Sequence, residues 1–288
     1  MTERQQLAAL LDWYVAMGID EAIGETPHDS FAPPPSRGAP PRSAAMAVAP
    51  SPAPRPAPSI SVPPLGTPAI ARPPIAKPIV PASNEIAGAR KLAEAATTLA
   101  ELEAAVSSFE GCALRKTATH TVFADGTPHA PVMVIGEAPG GDEDRIGKPF
   151  VGRSGQLLDR MLAAIGLDRQ SNVYISNILF WRPPGNRKPT EAEIALCLPF
   201  VWRHIALAAP RVVVLSGGTA TSAILGRAEG ITKLRGKWFD LPVPGLDSPV
   251  PALTTYHPSF LLRTPVRKSE SWRDFLELQS KINAMQKI

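Results

Sequence analysis

The chain has 288 residues, a formal net charge of +4, 44% hydrophobic residues and 19% charged residues. This length allows one large or two small domains, and the mild basic excess permits DNA binding without demanding it. Two cysteines exclude a disulfide-rich scaffold and favour a reducing, cytoplasmic setting.

The first segment, residues 1–29, is acidic, with one arginine against six carboxylates. Residues 5–23 predict an amphipathic helix whose apolar side chains fall on one stripe. This helix lacks the basic start and cleavage site of a signal peptide, and it is too short and too charged to span a membrane. Its stripe would pack either on the main domain or on a protein partner, and both alternatives stay open.

Residues 30–84 contain no Asp or Glu, five basic residues and about half of the chain's 33 prolines. Proline at this density prevents helices and sheet ladders, and Ala, Pro and Ser bury too little apolar surface to fold. The segment is therefore predicted to be a disordered linker with a positive bias. A passive spacer, weak DNA attraction and partner docking all fit this composition.

The remaining residues, 85–288, predict one folded domain in which strands alternate with helices. The predicted strands are 132–135, 173–176, 212–215 and 252–256, and the predicted helices are 87–106, 154–165, 191–208, 218–226 and 270–285. This alternation predicts an α/β fold of three layers, α/β/α, around a central, mostly parallel four-stranded sheet.

Three polar segments begin where predicted strands end. They read GEAPG at 136–140, NILFWRPPGNR at 177–187 and YHPSF at 256–260. Because ligand sites in parallel sheets lie at the carboxyl ends of strands, all three can meet in one crevice. A phosphate-binding loop is the poorer interpretation, since the first segment leads into several carboxylates and Pro149 follows Lys148 where a Walker motif needs Ser or Thr.

The same segments resemble the motifs of family 4 uracil-DNA glycosylases. The resemblance covers GEAPG, an ED pair and GKPFVGRSGQLLD, then NILFWRPPGNR, then YHPSFLLR, and it runs from about residue 109 to about residue 276. It implies a monofunctional hydrolase that flips uracil out of DNA and excises it, starting base-excision repair. No lysine stands in a motif position to act as an amine nucleophile, so no lyase step is expected.

The resemblance places the uracil pocket at four residues. Phe150 would stack on the base, and Asn177 would read it by donating to O4 and accepting from N3–H. Gly136 and Ala138 would line the pocket. Two of them also have ordinary structural interpretations: Asn177 as a strand-end Asn in an Asx turn, and Phe150 as a core residue.

Bond breaking needs a donor at uracil O2 and a positioned water. By resemblance, His257 is the donor. Glu143 and Asn186 together would hold or activate the water, with Glu137 lining the pocket. Asp142 and Asp144 are expected to be solvated neighbours.

Contacts to DNA are expected from arginines beside the motifs and from an apolar wedge. The candidates are Arg182, Arg187 and Arg263, with Leu262 as the wedge, and residues 233–238 form a basic loop that could follow the backbone. The chain lacks the histidine-bearing insertion of a DNA-crosslinking branch, so covalent capture is not expected.

The family's four-cysteine iron–sulfur cluster is the main departure from the pattern. Cys112 and Cys197 match the second and fourth ligands, whereas Phe109 and Trp181 occupy the first and third positions. Two thiolates cannot supply four ligands, so we expect no cluster and no other metal, with the two aromatic side chains filling its volume.

The sequence thus predicts a cytoplasmic, monomeric uracil-DNA glycosylase without a cofactor. Two alternatives remain: a glycosylase of shifted base specificity, and a non-catalytic DNA-binding or tethering protein whose N-terminal helix recruits a partner.

Overall fold

The computed structural model describes residues 83–286. The predicted helix at 5–23 and almost all of the predicted linker lie outside the described residues. The helices are Ser83–Ala95 (α1), Leu99–Ser108 (α2), Gly141–Ile146 (α3), Arg153–Ala163 (α4), Glu191–Ala208 (α5), Gly218–Leu225 (α6), Ile231–Leu234 (α7), Pro258–Arg263 (α8) and Lys268–Gln286 (α9). The strands are Asp125–Gly126 (β1), Val132–Gly136 (β2), Val173–Asn177 (β3), Val212–Ser216 (β4), Trp238–Leu241 (β5) and Val250–Thr255 (β6).

The strands form one sheet in the order β1-β3-β2-β4-β6-β5. The four central strands are parallel and match the four predicted ones, which confirms the α/β prediction. Both edge strands are antiparallel and were missed. β1 has only two residues, too few for a pattern, and β5 begins at the end of the predicted basic loop 233–238.

The predicted helix over 87–106 is wrong in one respect, because the chain forms two helices there. The break between the two helices lies at Thr98. The Thr98 backbone is extended, and its side chain accepts a hydrogen bond from the Glu101 amide at 3.2 Å. A threonine in this geometry is a strong start signal for a new helix.

Helices cover both faces of the sheet. Successive strand residues point to opposite faces, so each central strand is buried on both sides. Met133, Ile135 and Leu215 join a core with α1, α2, α5 and α6. Helices α4 and α9 contact each other, and α9 also contacts β6. Within residues 83–286, no helix is both long enough and apolar enough to cross a membrane.

Candidate active site

The carboxyl ends of the parallel strands carry the predicted motifs. Gly136 ends β2 level with Asn177 at the end of β3, and His257 is the N-cap of α8, two residues after the end of β6. A methyl group added to Gly136 would overlap both Asn177 Oδ1 and the Phe150 ring. Gly136 is thus required where it stands, and it brings Phe150 and Asn177 side by side as expected.

Asn177 is 2% exposed, and its Oδ1 has no hydrogen-bond partner among the described residues. A buried acceptor without a partner costs free energy, on the order of 1–3 kcal/mol. Asx turns satisfy this oxygen locally, so the strand-end turn is not what the side chain makes. Asn177 therefore retains an acceptor for an incoming donor.

Phe150 lies beside the His257 ring, with centroids 5.3 Å apart and planes inclined at 31°. Its backbone has a φ of +53°, which is uncommon for a residue with a bulky side chain. Gly155 permits this turn, because a side chain there would overlap the Phe150 backbone. The ring is thus held in the crevice by an unusual backbone conformation.

His257 is fixed in one tautomer. Its Nδ1 accepts the Ser259 amide at 3.1 Å and lies 2.9 Å from Ser259 Oγ. An imidazole nitrogen that accepts an N–H carries no proton, so the neutral ring carries its proton on Nε2. Burial, with a smaller effect of the Arg263 charge, lowers the pKa of His257 to about 4. At neutral pH, His257 is therefore a neutral donor through Nε2.

Glu137 follows Gly136 directly and is partly buried. Its Oε2 accepts a hydrogen bond from Thr219 Oγ1 at 2.5 Å, which links the loop after β2 to the first turn of α6. Within residues 83–286, its Oε1 has no hydrogen-bond partner. Glu137 is thus an oriented carboxylate with one oxygen available.

Glu143 is engaged differently. Its carboxylate accepts three backbone N–H groups, from Gly140 at 3.1 Å, Val151 at 3.0 Å and Gly152 at 2.8 Å. It joins the start of α3 to the turn after Phe150. Because most of its acceptor capacity is used by the protein, holding a water is not its main contact in this structure.

Asp144 was expected to be solvated, and that expectation is wrong. It is 6% exposed and accepts from the Thr119 amide and hydroxyl and from the His120 amide. It therefore anchors the loop before β1 on α3. Asp142 is exposed as expected.

Arg182 connects the first two motifs. Its Nε donates to Asn186 Oδ1 at 2.7 Å, and its guanidinium lies close to Gly141. Asn186 is exposed and has a φ of +54°, in the left-handed region that asparagine tolerates. Asn186 is thus exposed, with its side-chain oxygen bonded to the arginine that also lies close to Gly141.

The remaining predicted DNA contacts differ in accessibility. Arg187 forms a bidentate ion pair with Glu193, with N–O distances of 2.6 and 2.9 Å, and so stabilises the start of α5. Arg263 is exposed and Leu262 is partly buried. Of the two apolar residues that precede Leu262, Leu261 is fully buried, and Phe260 packs on Tyr256 with ring centroids 4.8 Å apart.

The cysteines and the two aromatic residues lie in one hydrophobic core. Cys112 and Cys197 are buried free thiols, and the neighbouring Cys112 thiol together with burial raises the pKa of Cys197. Trp181 is 1% exposed and donates to Thr121 Oγ1 at 3.0 Å, while Phe109 packs on Phe200. Across residues 83–286, no three His, Cys, Asp or Glu side chains form a group that could hold a metal ion.

Comparison with protein-family models identifies the family of the chain. A family model described as the Uracil DNA glycosylase superfamily matches residues 123–277. The chain belongs to the uracil-DNA glycosylase superfamily. It is similar to the type-4 uracil-DNA glycosylases of Pyrobaculum aerophilum (34% identical), Archaeoglobus fulgidus (37%) and Thermotoga maritima (39%). These matches cover 60–61% of this chain and 86–90% of each relative.

In this superfamily member, sequence reasoning missed three residues that touch the predicted site residues. Thr219 bonds Glu137, Ser259 bonds His257, and Arg169 bonds the carbonyls of Pro149 and Phe150. Ser259 lies inside the HPS motif, and Thr219 follows Gly-Gly at a strand end, so both had a local signal. Arg169 had none, because it lies 19 residues beyond Phe150.

Proposed function

We propose that this chain is a monofunctional uracil-DNA glycosylase, which flips uracil from DNA and hydrolyses its N-glycosidic bond. The observation that carries the proposal is the meeting of three different groups at one end of the sheet. They are the Phe150 ring, the unpaired Oδ1 of Asn177 and the neutral His257 imidazole. The names of the type-4 relatives support the same reaction.

Base recognition would use Phe150 and Asn177, with Gly136 and Ala138 lining the pocket. Stacking a base on an aromatic ring is worth roughly 1–3 kcal/mol. The Asn177 Oδ1 would accept N3–H of uracil while its amide group donates to O4, and cytosine presents the opposite pattern. Discrimination is strong because the wrong base leaves buried groups unpaired.

Bond cleavage would use His257. As the bond breaks, negative charge develops on uracil O2, and the Nε2–H is a donor that needs no protonation at neutral pH. Removing one such donor from an enzyme typically costs about 10²–10³ in rate.

We assign water positioning to Glu137 and Asn186 rather than to Glu143. Glu137 has an oxygen without a partner and is oriented by Thr219, whereas Glu143 holds three backbone amides. A carboxylate can accept the proton of an attacking water, and an amide can orient that water. Glu143 would then contribute by shaping the loop that carries Phe150.

Contacts with DNA would come from Arg182 and Arg263, with Leu262 as a wedge beside the flipped base. Arg187 would contribute less, because its guanidinium is paired with Glu193. The helix predicted at residues 5–23 would bind a protein partner or the domain itself, and we propose a monomer.

An iron–sulfur cluster does not fit the residues present. A four-iron cluster takes four thiolates, and the chain has two cysteines. Trp181 and Phe109, which replace the other two by resemblance, are buried in the same core as Cys112 and Cys197. We propose that apolar packing of these side chains stabilises this part of the fold in place of a cluster. An iron assay on purified protein tests this.

The function is tested by release of free uracil from single-stranded, U:A and U:G oligonucleotides. We expect release by the wild type and loss of at least about 10²-fold in Asn177→Ala and His257→Ala. Asn172→Ala is a matched control, since the Asn172 side chain binds the Asp168 amide and the Gly166 carbonyl before β3 and no predicted site residue. No release by the wild type on any of the three substrates would overturn the proposal.

A further inference from the structure

Arg169 lies outside every motif, yet its side chain reaches the turn that carries Phe150. Nη2 donates to the Phe150 carbonyl at 2.8 Å, and Nη1 donates to the Pro149 carbonyl at 3.2 Å. The Arg169 side chain is only 14% exposed. A largely shielded arginine directed at two backbone carbonyls of a functional loop needs an explanation beyond surface charge.

All five N–H groups of Arg169 are used. Besides the two carbonyls, Nε and Nη2 donate to Asp159 Oδ1 at 3.0 and 2.7 Å, and Nη1 donates to Asp125 Oδ2 at 2.8 Å. Arginine has five donors in a fixed planar fork, so these bonds fix its orientation. None is left for a DNA phosphate, which separates Arg169 from the arginines that could bind DNA.

The same peptide group is held from its other end by Glu143. The carbonyl of the Phe150–Val151 peptide accepts from Arg169, and its N–H donates to Glu143 Oε1 at 3.0 Å. Holding both ends fixes the rotation of this peptide about the Phe150 backbone. The conformation needs such support, since Phe150 has a φ of +53° and strained residues persist only where their surroundings determine them.

We propose that Arg169 is a positioning residue for uracil excision: by fixing the Phe150–Val151 peptide, it holds the Phe150 ring where the flipped base stacks. This rests on the proposed function. Arg169 touches no substrate, and its effect on the reaction passes through Phe150. Asp159 and Asp125 hold Arg169 in turn, and Lys148 pairs with Asp125 at 3.0 Å.

The test is a double-mutant cycle between Arg169→Gln and Phe150→Ala, read as kcat and KM for uracil release. Alone, Arg169→Gln should lower kcat/KM by about 10- to 100-fold, since small misplacements at a reacting site cost this much. In the Phe150→Ala background the same substitution should change kcat/KM less than about twofold, because no ring remains to be placed. Arg169→Lys should not rescue, since an ammonium cannot reproduce the planar fork.

Arg235→Gln is the matched control. Arg235 is similarly shielded, at 18% exposed, and pairs with Asp274 and the Glu270 carbonyl away from the Phe150 turn. It should lower the melting temperature but have the same effect on kcat/KM with and without the Phe150 ring. Asp159→Asn is a milder version of the Arg169 test for use if Arg169→Gln does not fold, and it should show the same coupling to Phe150.

The positioning role would be overturned if Arg169→Gln, or Asp159→Asn in its place, lowered kcat/KM equally with and without the Phe150 ring. The glycosylase assignment would then remain intact. A wild type that releases no uracil would instead refute the proposed function. The two failures are therefore distinguishable in one experiment.

Discussion

Thr219 donates a hydrogen bond to Glu137 over 2.5 Å, although the two residues lie 82 positions apart in the chain. The bond joins the loop after β2 to the first turn of α6. It holds the Glu137 carboxylate in one orientation beside the crevice.

Removing this donor should impair catalysis more than binding. We expect Thr219→Val to lower kcat about tenfold with little change in KM, because the carboxylate would lose its fixed orientation. Thr219→Ser, which keeps the hydroxyl, should restore most of the rate. Thr221→Val is the control, since the buried Thr221 Oγ1 has no partner among the described residues. Steady-state kinetics of all three variants test whether Thr219 orients Glu137 for catalysis. An unchanged kcat in Thr219→Val would contradict this role.

Adding a side chain at Gly136 provides a second test of the site. Gly136→Ala should reduce uracil release by about 10²-fold, because its methyl group would displace Asn177 Oδ1 and the Phe150 ring. Gly88→Ala in α1 is the comparison, since an added methyl there meets nothing within 4 Å. It should stabilise the fold by roughly 0.5–1 kcal/mol without affecting the rate. Full activity in Gly136→Ala would mean that the pocket lies elsewhere.

The protonation state of His257 can be measured directly. Because the pKa of His257 is lowered to about 4, the ring should stay neutral from pH 8 down to about pH 5. NMR titration of the histidine C–H resonances, with His257→Gln for assignment, follows this proton. A midpoint near 6.5 would show a charged donor in mildly acidic solution and would contradict a neutral one.

Buried His204 predicts how stability depends on pH. Burial lowers the pKa of His204 from 6.5 to about 3, so the unfolded state binds its proton first as the pH falls. Its contribution is complete above pH 6.5 and is lost progressively toward pH 3, by about 3 kcal/mol at pH 4. Urea unfolding at pH 7 and pH 4 should show this loss. The loss should be smaller in His204→Gln, which does not titrate but can still bond the Tyr174 hydroxyl.

The sequence predicted the parts of the fold that depend on local pattern. Long apolar runs located the four parallel strands, and α5 has the predicted bounds, 191–208. The two edge strands and the break at Thr98 were missed, because short pairings and a single cap are weak signals beside a long helical pattern.

For the site, motif positions predicted that Gly136, Phe150, Asn177 and His257 would come together, and the structure brings them together. The partners of these residues were less predictable. Glu143 and Asp144 differ by one position, yet one holds the Phe150 turn and the other anchors residues 119–120. Such roles depend on which backbone amides lie nearby, and that is set by tertiary contacts.

The unpaired Asn177 oxygen also has a consequence for turnover. No described protein group bonds that acceptor, and the N3–H of free uracil can bond it as the N3–H of a flipped nucleotide would. The enzyme should therefore retain its product: uracil should raise the melting temperature of the wild type, but not of Asn177→Ala, and should inhibit excision competitively. On this view the product is also an inhibitor, so excision slows as free uracil accumulates.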